Sequence, residues 1–105
     1  MDFIKKIRQS AKKKILYTHH ALDEMNAEDE MITTEEVRHV VFKGEIIEEY
    51  PEDKRGHSCL MFGKPEEKRP VHVVCAPKAE YLAIITSYIP SLKKWEADFK
   101  TRRKK

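Results

Sequence analysis

Apolar residues fall into two rhythms along this chain. In the first part they recur at helical spacing. Over residues 3–14, Phe3, Ile4, Ile7 and Ala11 make one stripe and lysines fill the rest, which predicts an amphipathic helix. A second helix is expected from Thr18, whose hydroxyl can cap it. Tyr17 and Leu22 stand at hydrophobic-staple positions, and Ala21, Leu22 and Met25 form the apolar side. Asn26–Glu30 either ends or continues that helix. A third start is written in Thr33-Thr34-Glu35-Glu36, a capping box in which Thr33 and Glu36 satisfy each other's backbone amides. Val37, Val40 and Val41 follow as its buried stripe, and Gly44 is expected to end it in the left-handed conformation.

After Gly44 the period drops to two. Glu45–Tyr50, His57–Gly63, Val71–Ala76 and Tyr81–Tyr88 read as four strands, separated by polar turns at 51–56, 64–69 and 77–79 and closed by Pro90. Short polar connections predict antiparallel pairing in a meander. In Ser91–Lys100 the residues Leu92, Trp95 and Phe99 return to helical spacing. They predict a short C-terminal helix with Trp95 packed on the sheet. The expectation is α+β: N-terminal helices on one face of a four-stranded antiparallel sheet, the other face or a groove along it left available.

Length adds one constraint. A chain of 105 residues is a single domain, 1–105, with room for one modest core. The longest unbroken apolar run is Tyr81–Ile85, far below the ~20 residues of a membrane helix. The N-terminus leads into no apolar signal region. Cytoplasmic localisation with no membrane partner is therefore expected. Cys59 and Cys75 are too few for a disulfide framework and read as reduced thiols in a core.

Charge changes the picture more. The net +3 hides basic ends and an acidic middle. Residues 1–14 carry six bases against Asp2, residues 23–52 carry eleven acids against Arg38 and Lys43, and residues 70–105 carry eight bases against three acids. A basic face can track phosphates by displacing condensed counterions. The bland alternative is a solvated helix and a frayed basic tail, Thr101–Lys105.

Histidine is the natural place to look for chemistry near neutral pH. His19 and His20 fall at the start of the second helix, where the dipole favours a neutral imidazole able to accept a proton. His39 takes no role. His72 interrupts an apolar strand, and alternation puts it on a face with Val74 and Ala76, opposite Val71, Val73 and Cys75. Such an imidazole must find a partner or open onto a cleft. On the last strand, alternation puts Thr86 and Tyr88 with Leu82 and Ile84. Pairing across the 77–80 turn brings His72 and Tyr88 toward neighbouring ends of the ladder. The spacings His57/Cys59 and His72/Cys75 fit no usual zinc site, and neither Walker loop, G-x-G-x-x-G nor G-x-S-x-G is present. No metal and no cofactor are expected.

The ordered set His20-Ala21-Leu22, Met25, Ile32-Thr33-x-x-Glu36-Val37, Gly44–Pro51, Ser58-Cys59-Leu60, Arg69–Val74, Ile85-Thr86-x-Tyr88-x-Pro90 and Trp95 resembles a small bacterial and archaeal domain-of-unknown-function family. That family is placed near the RelE- and BrnT-like toxins, and its members are often encoded beside a YgiT-type zinc-finger antitoxin. The resemblance runs from Tyr17 to Arg103. It implies a RelE-like fold and a metal-independent endoribonuclease, an mRNA interferase-like toxin acting on RNA, ribosome-associated mRNA included. Its partner would be a small zinc-finger-type antitoxin.

Under that resemblance His20, His72 and Tyr88 are the catalytic candidates. Arg69, Arg102, Arg103 and Tyr50 would hold phosphate or stack on a base. Two departures stand out: Glu24 occupies a position where relatives commonly have arginine, and Asp29-Glu30-Met31 replaces a stretch where they often have Arg and Gly. The alternative is a non-catalytic protein- or RNA-binding module of the same fold. A small-molecule enzyme using a His72/Tyr88 pocket is a third class, and no motif supports it.

Overall fold

Three helices and five strands form in the order helix, strand, helix, helix and four strands, as described by a computed structural model for residues 2–104. Met1 and Lys105, the last residue of the basic tail, lie outside the described residues. Helix α1 spans Phe3–Lys13 and is capped by the Asp2 carboxylate, which accepts from the Lys5 amide at 3.1 Å. Its Ile7 and Ala11 are buried.

The chain then extends into β1, Ile15–Tyr17, before Thr18 caps α2, His19–Met25. Leu22 is 41% exposed, so Tyr17 and Leu22 are not both withdrawn from water as a staple would have it. Helix α3, Thr34–Lys43, carries the full capping box. The Thr33 hydroxyl accepts from the Glu36 amide at 3.1 Å, and the Glu36 carboxylate accepts from the Thr33 amide at 3.0 Å. Its end differs from expectation. Gly44 is extended, with φ −84° and ψ −167°, not left-handed. Glycine is required there for space, because a Cβ would lie 2.4 Å from the Phe62 carbonyl oxygen and 2.6 Å from that of Val40.

Strands β2 (Glu45–Tyr50), β3 (Ser58–Gly63), β4 (Val71–Pro77) and β5 (Leu82–Tyr88) pair antiparallel in sequence order. The four-stranded antiparallel sheet is thus corrected to a five-stranded mixed one of order β1-β5-β4-β3-β2, with β1 parallel to β5 through Ile15↔Leu82 and Tyr17↔Ile84. Three residues are too short a run to display a period of two. A parallel neighbour also contacts β5 only after the chain has crossed the whole sheet.

Ile7, Met25, Val37, Val40 and Val41 pack onto Cys59, Met61, Val73, Cys75, Leu82 and Ile84, and this makes the core. Both cysteines are free and buried in it.

The predicted C-terminal helix is absent. Residues 91–103 form turns closed by a Trp95↔Arg102 antiparallel bridge, with Phe99 at φ +58°. The reason is local. The Asp98 carboxylate accepts from the amides of Lys100 (2.9 Å) and Thr101 (3.0 Å), the competing turn geometry that aspartate offers to a backbone. This segment lies as a strap across the sheet face that the helices leave uncovered. Lys100 Nζ meets Glu45 at 3.0 Å, and Arg102 meets Glu48 at 2.7 Å. Among the described residues no helix is long and apolar enough to cross a membrane.

Candidate functional site on the outer sheet face

Two irregularities in the ladder decide what stands on the outer face. Between Ile46 and Glu48 the β2–β3 register shifts, so Ile46 pairs with core Met61 while Glu48 and Tyr50 pair with outward Leu60 and Ser58. Between Val74 and Cys75 the β4–β5 register shifts as well. Leu82 and Ile84 stay in the core, whereas Thr86 opposes Val74 and Tyr88 opposes His72. The expectation that Tyr88 shares a face with Leu82 and Ile84 is therefore corrected: the extra residue, Ile85, turns the following side chains over. The Ile85 carbonyl is taken by the Thr18 hydroxyl at 2.9 Å, which stitches the bulge to the start of α2.

His72 sits at the centre with no exposed surface. Its ring meets those of Trp95, Tyr88 and Phe62 edge-on at 4.6, 5.3 and 6.0 Å. Nε2 lies 2.7 Å from the Phe99 carbonyl oxygen, and Nδ1 lies 3.3 Å from the Tyr88 hydroxyl. A carbonyl can only accept, so Nε2 carries the hydrogen. Burial holds the imidazole's pKa below its ordinary 6.5, against the opposing pull of the Phe99 carbonyl and Glu48. The neutral ring then presents the Nδ1 lone pair, and the Tyr88 O–H donates to it. Burial likewise raises the Tyr88 pKa.

Beside this pair, Arg102 grips Glu48 with two parallel bonds, Nε–Oε2 at 2.7 Å and Nη2–Oε1 at 3.0 Å. Its guanidinium also lies 4.6 Å from the Trp95 ring centroid. The Tyr50 hydroxyl donates to the same carboxylate at 2.5 Å. Hydrogen bonding to Arg102 lowers the Glu48 pKa, while desolvation and the bond to Glu48 push Tyr50 up to about 12. An open cleft of about 370 Å³ adjoins the cluster, lined by Glu24, Tyr88, Ser91, Lys94, Trp95 and Arg102 among others. Tyr88 and Trp95 both meet His72 and line this cleft, and of the two Tyr88 is hydrogen-bonded to the imidazole.

The structure thus brings together His72, Tyr88, Arg102 and Tyr50. It does not bring the other candidates to them. His20 is exposed in the first turn of α2, one turn before Glu24 on the same helical side. Arg69 lies on the helix-covered side. Its guanidinium forks onto Glu36 with two 3.0 Å bonds, reaches the Met31 carbonyl at 3.1 Å, and lines a separate cleft of about 700 Å³. Arg103 turns back onto the Leu92 carbonyl and onto Glu96 at 3.4 Å.

Nor is the centre an open basic hollow. The strap covers His72, and Arg69, Arg102 and Arg103 each face a carboxylate. Sequence reasoning missed Glu48, Lys94 and Ser91. The run Glu-Ile-Ile-Glu-Glu-Tyr cannot say which acid faces outward while the bulge is unknown, and the strap's fold depends on Asp98. Among the described residues no group of three or more His, Cys, Asp or Glu side chains is placed to hold a metal ion.

This cluster belongs to an α+β domain built on a five-stranded mixed sheet. Over residues 17–89 the chain matches the family described as a domain of unknown function, DUF4258, and it belongs to that family. The matched span holds His20, Glu48, Tyr50, Arg69, His72 and Tyr88, and it ends before the strap that carries Lys94, Trp95 and Arg102. No curated protein and no solved structure matches the chain. Nothing in the family match links it to RelE- or BrnT-like toxins or to a zinc-finger antitoxin.

Proposed function

We propose that the outer-face cleft takes a phosphodiester of single-stranded RNA and that the domain cleaves it without metal. The observation that carries this reading is the Tyr88–His72 pair. A neutral buried imidazole, its tautomer fixed by a carbonyl, offers a lone pair to a phenol that faces an open cleft. Tyr88 is then the group that meets the substrate. Its oxygen accepts the ribose 2′-hydroxyl proton as its own proton passes to His72 Nδ1. The 2′-oxygen attacks phosphorus, the bond to the 5′-oxygen breaks, and a 2′,3′-cyclic phosphate results. The departing 5′-oxygen takes its proton from water in the open cleft, since His20 stands apart from the cluster on α2.

Charge building on the phosphate oxygens is met by Lys94 and by the Arg102 N–H groups that Glu48 leaves free. A second groove, of about 540 Å³ between α1 and the turn after β4, is lined by Lys6, Lys12, Lys13 and Lys78; it lies at the other end of the β4–β5 ladder from Tyr88 and is a separate basic surface able to track phosphates. On this reading the sequence resemblance to RelE/BrnT-like toxins supplies the biological setting: a RelE-like toxin domain in the cytoplasm with a small antitoxin, of zinc-finger type, as partner.

The test is incubation of the purified chain with single-stranded RNA in excess EDTA, with product ends mapped. Cleavage leaving cyclic phosphate is expected, and Tyr88→Phe and His72→Gln should each lose roughly 10²–10⁴-fold in rate. No cleavage, or a Tyr88→Phe protein at the wild-type rate, refutes it.

A second reading, a non-catalytic RNA- or protein-binding module, is favoured by one observation. Each candidate phosphate-binding arginine already holds a carboxylate, and His72 is wholly covered. Uncut RNA retained with a steep salt dependence supports that reading over the first.

A further inference from the structure

Within the cleft two charges stand apart. Among the described residues the Glu24 carboxylate and the Lys94 ammonium have no hydrogen-bond partner and no opposite charge within 4.0 Å, whereas Arg102, the other charge in the cleft wall, is held by Glu48. Glu24 projects from α2, Lys94 from the strap, and the half-buried phenol of Tyr88 lies in the same wall. At about 370 Å³ the cleft is at the small end of ligand sites, about 300–1,000 Å³, the scale of one nucleotide.

A ligand that satisfies this wall needs an anion for Lys94, an aromatic face for Tyr88 and hydrogen-bond donors for Glu24. Among the four bases guanine alone presents two adjacent donors, N1–H and N2–H, on its Watson–Crick edge. A carboxylate accepts both at once. Adenine and cytosine set a ring acceptor beside their amino group, and uracil flanks its single N–H with two carbonyls, so each turns a lone pair toward Glu24.

We propose that the cleft selects a guanine nucleotide. Glu24 reads the base edge, Tyr88 stacks against the base, and Lys94 with Arg102 holds the phosphate. This rests on the reading of the cleft as the RNA site and adds the identity of the nucleotide it accepts. Glu24 is a specificity residue and takes no part in proton transfer.

Titration of the full chain with 5′-GMP, 5′-AMP, 5′-CMP and 5′-UMP, followed by calorimetry and amide NMR shifts, tests it. GMP should bind about tenfold tighter than the other three, within the range a bidentate base contact confers. Its shifts should centre on α2, Tyr88 and residues 91–95. Glu24→Gln should weaken GMP roughly tenfold and leave AMP within about threefold, whereas Lys94→Ala should weaken all four alike. Unchanged melting temperatures exclude misfolding as the cause.

Equal affinity for the four nucleotides, GMP binding indifferent to Glu24→Gln, or shifts confined to the lysine groove each overturn the proposal. Its failure is separable from that of the nuclease reading. GMP selectivity in a protein that cuts no RNA leaves this inference standing, and RNA cleavage without guanine selectivity removes it alone.

Discussion

Trp95→Ala tests the strap and the imidazole together. The indole is 2% exposed, its ring packs edge-on against His72 at 4.6 Å, and the Arg102 guanidinium lies over it. Truncating a buried tryptophan costs about 3–5 kcal/mol through lost transfer energy and the cavity left behind. The strap is a surface element able to collapse or detach, so the lower end, about 3 kcal/mol, is expected. For a domain of this size that corresponds to a melting point lower by roughly 12 °C or more.

A second consequence follows from the cause of the His72 shift. Burial holds its pKa down, and once the strap loosens water reaches the ring, so the pKa should climb back toward 6.5. Thermal melts followed by circular dichroism measure the first effect, and titration of the His72 ring protons by NMR measures the second. A stability loss under about 1 kcal/mol, or a His72 titration identical to wild type, would show that Trp95 does not seal the imidazole and would refute this account of the strap.

The remaining predictions are of the same kind. Because the folded His72 pKa is lower than the unfolded one, the stability linked to it is present above 6.5 and lost as pH falls toward the folded value. Urea midpoints of the wild type should therefore decline below pH 6.5 more steeply than those of His72→Gln, with Glu36 and Glu48 adding a decline common to both at lower pH. Gly44→Ala should destabilise by about 1–3 kcal/mol in urea unfolding, because backbone oxygens of Phe62 and Val40 occupy the space of the new methyl. Arg69→Ala should cost about 1 kcal/mol, discounted for the partial exposure of both partners, and on the proposed nuclease reading leave RNA cleavage unchanged; a large loss of cleavage would overturn the placing of Arg69 outside the proposed site.

Much of the architecture is legible in local chemistry. The Thr33–Glu36 box, the valine stripe behind it, and four period-two strands between polar turns each rest on neighbours within a few residues, and the helices and the meander form as those signals direct. Gly44 is at the right place for a different reason, since the constraint there is the approach of β3 from 18 residues away. The C-terminal segment misleads because Leu92, Trp95 and Phe99 have helical spacing while Asp98 stabilises a competing turn.

By itself the chain of residues determines the class of fold, the buried stripes, and the presence of an imidazole and a phenol on neighbouring strands. Tertiary structure alone decides whether they meet. Strict alternation carries Tyr88 to the core side with Leu82, and Ile46 to the side of Glu48. One extra residue in each of two ladders reverses this and gathers Glu48, Tyr50, His72 and Tyr88 on a single face. A bulge is a compromise between strands that pair only after folding, so no run within either strand announces it. The strap over that face is likewise held by Glu45, Glu48 and His72, partners that lie 27–55 residues earlier in the chain.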